Sequence, residues 1–335
     1  MFRILFALSA FCIAKITAES EWSRFSHWLQ NFKIIAESEA HLGKMFHNWI
    51  DNNAFIEDIN DRNLSYTLGH NQFSGMDRDE FREYLARSPL LFEDRPFRQG
   101  LFLREQITVP VAVDWVKAGA VTPVKDQGQC GSCWSFSTTG ALEGAFFNKF
   151  SKLQSFSEQQ LVDCDTIRNG GKDHGCKGGL MDNAFSWIQK NGGLCTENEY
   201  PYVSGDTKKE GDCKKSCSTV SGSEVQKYVD VEPSNEDAFL QALSKTPLAI
   251  AIEADQREFQ LYKSGVFTGT CGTKLDHGVL AVGYGSKDSQ DYILVKNSWS
   301  TSWGDGGYIK LARGPQYNGA DGQCGVLIEP SYPLL

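Results

Sequence analysis

No apolar run in the 335-residue chain reaches the roughly 18 residues needed to cross a bilayer, which excludes a protein built on membrane-spanning helices. An excess of positive charge is also missing. With 33 Lys and Arg against 42 Asp and Glu the formal charge is −9, which argues against a nucleic-acid binder. No internal repeat of about 20–50 residues is present, which argues against a solenoid. Cysteine is absent from residues 19–129, and histidine is scarce, at six residues. What is present is ample core material: 41% of residues are hydrophobic, so wholesale disorder is excluded. The length allows two domains or one large one.

Residues 1–18 carry a basic Arg3, an apolar run from Ile4 to Ala14, and then small residues. This is the pattern of a secretory signal peptide cut near Ala18, with Lys15 blurring the site. A secreted chain meets an oxidising compartment. Cys12 leaves with the signal, and nine cysteines remain: Cys130, Cys133, Cys164, Cys176, Cys195, Cys213, Cys217, Cys271 and Cys324. An odd number leaves one outside the intramolecular pairs. Their crowding after position 129 predicts a disulfide-free N-terminal segment before a stapled domain.

Trp22, Phe25, Trp28, Leu29, Phe32 and Ile35 recur at helical spacing, as do Met45, Phe46, Trp49, Ile56 and Ile59. Two amphipathic helices are expected. Residues 86–110 lose the periodicity and gather Pro, Arg and Glu, as an extended linker open to proteases does. Towards the C-terminus, Val279–Val282, Tyr292–Asn297 and Gly307–Arg313 are short apolar runs set off by Gly and Ser, and read as antiparallel strands. Gly283-Tyr284-Gly285 lacks the third glycine of a dinucleotide loop and reads as turn punctuation.

The chemistry gathers around Cys133. Trp134, Phe136, Leu142, Ala145 and Phe146 fit a helix that begins at this cysteine. Unpaired amides and the macrodipole at a helix N-terminus favour an anion and lower a thiol pKa. Cys130-Gly131-Ser132-Cys133 is also a CxxC, but zinc would need a second such pair or spaced histidines, and neither exists. A thiol–disulfide oxidoreductase would need a βαβ context that the surrounding sequence lacks. His277 lies 144 residues beyond Cys133 and Asn297 lies 164 beyond it. The run Cys130-Gly131-Ser132-Cys133-Trp134 with a distant His and Asn is the signature of papain and cathepsin proteases.

Four blocks carry a resemblance to the papain family of cysteine proteases, in its cathepsin L-like branch. They are Pro123 to Trp134, Gly175 to Met181, Leu275 to Val279, and Asn297 to Gly304. The resemblance implies an α+β fold of two lobes, a helical left lobe and an antiparallel β-barrel right lobe, preceded by a helical propeptide. It implies that Cys133 attacks the scissile carbonyl, His277 pairs with the thiolate and protonates the leaving amine, and Asn297 orients His277. Gln127 would donate to the oxyanion, and Trp299 would shield the Asn–His hydrogen bond. Substrate would lie along Gly178, Gly179, Leu180, Met181, Ala251, Leu275 and Asp276, with Glu329 at the floor of the main pocket. His174, in a polar loop, is expected to be solvated. No cofactor and no metal are implied. The implied partners are protein and peptide substrates, the chain's own propeptide as inhibitor, and cystatin-type inhibitors, for a monomeric enzyme.

The same resemblance suggests the pairs Cys130–Cys176, Cys164–Cys213 and Cys271–Cys324. Cys195 and Cys217 are left over and are expected to form an added staple, with a swap of Cys213 and Cys217 open. Asn52, Ile56 and Asn60 match a helical propeptide signature, and Gly69, Asn71 and Phe73 match a second one. Three departures stand out: His41 and Met45 replace an expected Glu and Arg, and Gly75 replaces an expected Asp. Asn63-Leu64-Ser65 is the sole glycosylation sequon. The expected organisation is a signal over 1–18, an inhibitory propeptide over 19–109 and a mature peptidase over 110–335, bound for the lysosome, vacuole or exterior. Two rivals are a thiol–disulfide oxidoreductase on Cys130 and Cys133, and a catalytically silent storage or binding protein. The latter would be expected to have lost the nucleophile or the histidine.

Overall fold

A computed structural model describes residues 21–86, 90 and 99–335. The expected signal peptide and residues 87–89 and 91–98 of the expected linker lie outside these residues.

Helix α1 spans 21–31 and buries Phe25 and Trp28 against Met45 and Trp49 of α2 (Glu39–Asp61). The helical spacing overreached at Ile35, which is 86% exposed. The chain turns at Lys33, whose φ of 53° lies in the left-handed region and ends the helix. Helix α2 starts under the Ser38 hydroxyl, which accepts the backbone N–H of His41 at 3.1 Å. Its buried stripe is Met45, Trp49, Asn52, Ile56 and Ile59.

The departures at Met45 and Gly75 meet in space. A Cβ on Gly75 would lie 2.9 Å from the Trp28 ring and 3.4 Å from Met45 Cε. Where the resemblance implied charged residues, this chain has an apolar packing contact.

The N-terminal part also adds strands, which its periodicity did not announce. Strand β1 (Tyr66–Leu68) pairs antiparallel with β6 (Tyr262–Phe267), with Tyr66 opposite Gly265. Gly265 has φ of 91°, and the Ser65 carbonyl occupies the space a Cβ would need, so only glycine fits. Helix α3 (Arg78–Ala86) follows, and β2 (Leu101–Phe102) pairs in parallel with β4 (Lys227–Val231).

The rest of the chain divides into a helical half and a sheet half. Helix α4 (Cys133–Phe150), α5 (Glu158–Cys164) and α6 (Met181–Asn191) surround one apolar cluster. Cys130–Cys176, Cys164–Cys213 and Cys195–Cys217 staple this half, and Cys271–Cys324 staples the other. The second half is a mostly antiparallel sheet of β3 (Val113–Asp114), β5 (Leu248–Ile252), β7 (His277–Lys287), β8 (Gln290–Lys296), β9 (Tyr308–Ala312) and β10 (Ser331–Leu334) with β4 and β6. Of the three expected apolar runs, Val279–Val282 falls within β7, and the other two overrun β8 and β9 by at most one residue at an end. The sheet is open along the order β1-β6-β9-β8-β7-β5-β10-β4-β2, so N-terminal strands cap both ends. Unpaired edges are liabilities, and these two are covered by the chain's own leading segment. Helix α4 lies against β7, which brings the two halves together at the start of both elements.

Candidate active site

Cys133 is the first residue of α4 and is fully buried. Ser132 sits at the N-cap but makes no side-chain capping bond; its hydroxyl lies 2.7 Å from the Tyr202 hydroxyl instead. No acidic residue occupies the first turn. The helix N-terminus therefore keeps its positive end for the sulfur. Across the divide, the backbone N–H of Gly278 donates to Cys133 Sγ at 3.3 Å. A Cβ on Gly278 would lie 3.3 Å from the carbonyl oxygen of Cys133, so β7 meets α4 here at backbone contact.

His277 begins β7, and Asn297 follows the last residue of β8. The two strands are antiparallel neighbours, so residues 20 apart come to the same end of the hairpin. His277 Nε2 donates to Asn297 Oδ1 at 2.8 Å, which leaves Nδ1 for another partner. The backbone N–H of Ser298 donates to the same Oδ1 at 2.8 Å, and Asn297 N–H donates to the Gly307 carbonyl at 3.0 Å. Trp299 is fully buried and stacks on the imidazole, with centroids 4.5 Å apart and an interplanar angle of 20°. Burial drives the His277 pKa down to about 4, with the Asn297 hydrogen bond opposing.

Gln127 is held on both ends of its amide. Ser298 Oγ donates to Oε1 at 2.7 Å, and Nε2 donates to the Cys130 carbonyl at 3.1 Å. Its backbone carbonyl accepts the Tyr202 hydroxyl at 2.8 Å. Ser298 lies in a block that carries the resemblance but was given no role, and Tyr202 carried no signal; their contacts with Gln127 and Ser132 are visible only in space.

Leu180, Met181 and Ala251 are buried in one apolar cluster, with Leu275 packed against it. Leu90 of the N-terminal part belongs to the same cluster. Gly178 has φ of 103°, and a Cβ on Gly179 would lie 2.7 Å from both the Trp134 ring and Asp173 Cγ. Asp276 Oδ1 accepts the Ala254 N–H at 2.7 Å, and burial pushes its pKa up to about 7. Glu329 is half-buried, between buried Leu327 and β10. His174 is half-buried, and its backbone N–H donates to the Gly178 carbonyl at 3.0 Å. Asn63 is exposed just beyond α2, in the left-handed region. No group of three or more metal-capable side chains occurs among the described residues.

The N-terminal part covers this site. Phe73, Phe81 and Tyr84 stack edge-on against Trp299, with centroids 5.2, 5.7 and 6.4 Å away. Gln72 Nε2 donates to the Trp299 carbonyl at 2.6 Å, and Tyr84 donates to the Gly128 carbonyl at 3.0 Å. Asn71 Nδ2 donates to the Gln260 carbonyl at 2.7 Å, and Arg82 pairs with Asp255 at 2.8 Å.

Comparison with known proteins agrees with this geometry. Residues 109–334 match the papain family cysteine protease profile, and residues 25–81 match the cathepsin propeptide inhibitor domain. A senescence-specific cysteine protease of Oryza sativa subsp. japonica is 42% identical over 315 residues, spanning 93% of this chain and 89% of the relative. Vignain of Ricinus communis is 42% identical over 322 residues, spanning 94% and 86%. The stem bromelain precursor superposes with a TM-score of 0.83 at 34% identity, covering 94% of this chain and 99% of that one. Digestive procathepsin L 3 of Tenebrio molitor larval midgut gives 0.82 at 34%, again over 94% and 99%. The chain belongs to the papain family of cysteine proteases and carries, ahead of the peptidase, the inhibitor domain of a cathepsin propeptide.

Proposed function

We propose that the chain is a secreted zymogen of a cysteine endopeptidase, with Cys133 as nucleophile, His277 as its acid–base partner, Asn297 as the group that orients it and Gln127 as an oxyanion donor. The observation that carries this reading is the meeting of α4 and β7: Gly278 N–H on Cys133 Sγ, beside an imidazole whose far nitrogen is held by Asn297. The thiolate attacks the carbonyl carbon, and the carbonyl oxygen takes up charge in front of the Gln127 amide and the Cys133 N–H. His277 passes its proton to the leaving amine, and water hydrolyses the thioester. A thiol-reactive epoxide tests the assignment. Acid-converted enzyme should be labelled at Cys133, intact zymogen should resist, and His277→Ala should slow the labelling. Equal labelling of all three forms would reject it. Disulfide reduction that survives His277→Ala would favour the oxidoreductase.

The mature enzyme begins near residue 110, and its destination is the lysosome, vacuole or exterior. Acid releases the propeptide, and His70 is a trigger. Its ring stacks on Trp49 at 4.5 Å, and Nε2 lies 3.1 Å from Asn53 Oδ1. Burial, with the Arg24 charge adding to it, lowers its pKa to about 4. A histidine depressed in the folded state contributes stability above its unfolded pKa of about 6.5, and that stability is lost as pH falls towards 4. In the peptidase part the sign is opposite. Burial raises Asp165 to about 7 and Glu197 to about 8, so these groups contribute stability in acid and lose it as pH rises through those values. Conversion is expected at pH of about 4–5 and little at about 7. In His70→Phe, which keeps the stack on Trp49, the midpoint should move about half a pH unit lower or more. Equal conversion rates at both pH values, or an unmoved midpoint, would remove His70 from this role.

The main specificity pocket accepts Leu, Phe or Val through Leu180, Met181, Ala251 and Leu275, and Glu329 lets it accept Arg. Glu329→Ala should lower cleavage of an Arg-Arg coumarin substrate at least about tenfold and spare Phe-Arg. A parallel fall, or none, would take the selector role from Glu329.

A further inference from the structure

Behind the Gly178–Leu180 segment lies a pair of carboxyl groups that the mechanism above does not use. Asp165 ends α5, and Asp173 closes the loop that follows; their backbones are bridged at Thr166 and Asp173. Both side chains are 0% exposed. Asp173 Oδ1 accepts the backbone N–H of Leu180 and the Asn183 amide, each at 3.0 Å. Asp165 Oδ1 accepts the Lys172 N–H at 3.2 Å. The second oxygens, Asp165 Oδ2 and Asp173 Oδ2, are both buried with no other hydrogen-bond partner, and the two side chains lie close enough to interact with each other. Two carboxylates in this position cannot both stay ionised.

We propose that Asp165 and Asp173 share one proton and that the resulting O–H···O bridge is a positioning device: it holds the Gly178–Leu180 segment in register for peptide, and loosens when the proton is lost. The proposal rests on the reading of Gly178 to Met181 as the substrate-binding edge. The transmission is by contact. Asp173 Oδ1 grips the Leu180 N–H directly, and its carboxyl packs on Gly179, where no Cβ could fit. Leu180 in turn precedes Met181 at the start of α6.

Of the surrounding groups, only Lys190 brings an opposite charge to bear on Asp165, and burial outweighs it. Among the described residues, α6 presents Asn183 and, farther off, Lys190; the loop presents Lys172 through its backbone; and α4 presents the Trp134 ring. Glu210 faces Gly175 on the far side of the same loop. A recess lined by Gly170, Gly171, Lys172, Asn183, Trp187 and Lys190 adjoins Asp165 and gives the proton a route to solvent. Burial raises Asp165 to about 7, and burial together with the Asp165 charge raises Asp173 as well, so the bridge is intact in acid and opens above neutrality.

Two readouts test the pair and its effect separately. In the full-length chain labelled with 13C at aspartate carboxyls, two carboxyl resonances should titrate together near or above neutrality, and both should lose that titration in Asp165→Asn. Independent titration in the ordinary carboxylate range would overturn the shared proton, whether or not the chain proves to be a peptidase. In acid-converted enzyme, KM for a peptide substrate should rise about tenfold between pH 5.5 and 8, the factor given by a one-unit difference in proton affinity between free and substrate-bound enzyme. Asp165→Asn and Asp173→Asn each place an N–H where the shared proton was. Either should flatten the KM profile while leaving the pH dependence of kcat unchanged. KM profiles parallel to wild type would overturn the positioning role, and so would a flat wild-type profile. If one variant does not fold, the other and the wild-type titration still decide.

Discussion

Cys133→Ala is expected to lower kcat/KM for peptide hydrolysis by at least roughly ten-thousand-fold and to leave the zymogen at full length in acid. Nucleophile removal in enzymes of this logic costs on that order, because the remaining partners have nothing to activate. Here the surrounding groups have no second use. Cys133 opens α4 and its sulfur accepts the Gly278 N–H at 3.3 Å, next in the chain to the His277 that Asn297 holds, and no other cysteine lies outside a disulfide among the described residues. The fold itself should survive, since four disulfides and both cores are untouched. The measurement is hydrolysis of a coumarin substrate together with gel analysis of purified variant held at acid pH. Full maturation without added protease would show that processing is not autocatalytic. Residual hydrolysis near wild type would move the nucleophile elsewhere.

The second large effect is at Gln127. Gln127→Ala should lower kcat by about 10²–10³, equivalent to about 2.7–4 kcal/mol, with little change in KM. An oxyanion donor acts on charge that exists only in the transition state, so its loss falls on kcat. The amide is pre-set for this work. Ser298 Oγ fixes Oε1, and the Gln127 N–H donates to the Ser298 carbonyl at 2.9 Å, so Nε2 is turned towards the Cys130–Cys133 turn before substrate arrives. A loss below about tenfold would leave the Cys133 N–H as the main donor and exclude Gln127. The same experiment on Ser298→Ala should give a smaller fall, because the amide loses its anchor and keeps its donor.

Much of the site was legible from residue types at fixed distances along the chain. Cys133 follows a Gly-Ser turn and opens an apolar helix, so a thiol at a helix N-terminus could be read directly. His277 lies just ahead of one strand-like run and Asn297 ends another, and their pairing follows once β7 and β8 are recognised as neighbours. The supports of the site were not legible. Ser298 and Tyr202 are ordinary polar residues in sequence, and Tyr202 is 70 positions away from the Ser132 it contacts. The strands of the N-terminal part were hidden for a related reason. Strand β1 is three residues long, too short for a period-two pattern, and it exists because β6 offers an edge and Gly265 leaves room.

The amino-acid sequence by itself determined the class of chemistry, the helical character of the propeptide and the division between a cysteine-free leader and a stapled peptidase. Those properties reside in local pattern, periodicity and residue count, which need no partner from afar. Only the tertiary structure decided how the leader covers the site, with Phe73, Phe81 and Tyr84 against Trp299. It also decided that Met45 and Gly75 meet in an apolar contact, and that Asp165 and Asp173 are buried together with Asp173 gripping the Leu180 N–H. The physical reason is that burial and charge proximity are properties of pairs. A carboxyl group or an aromatic ring acquires its energy from what packs against it, and the chain brings those partners together only when it folds.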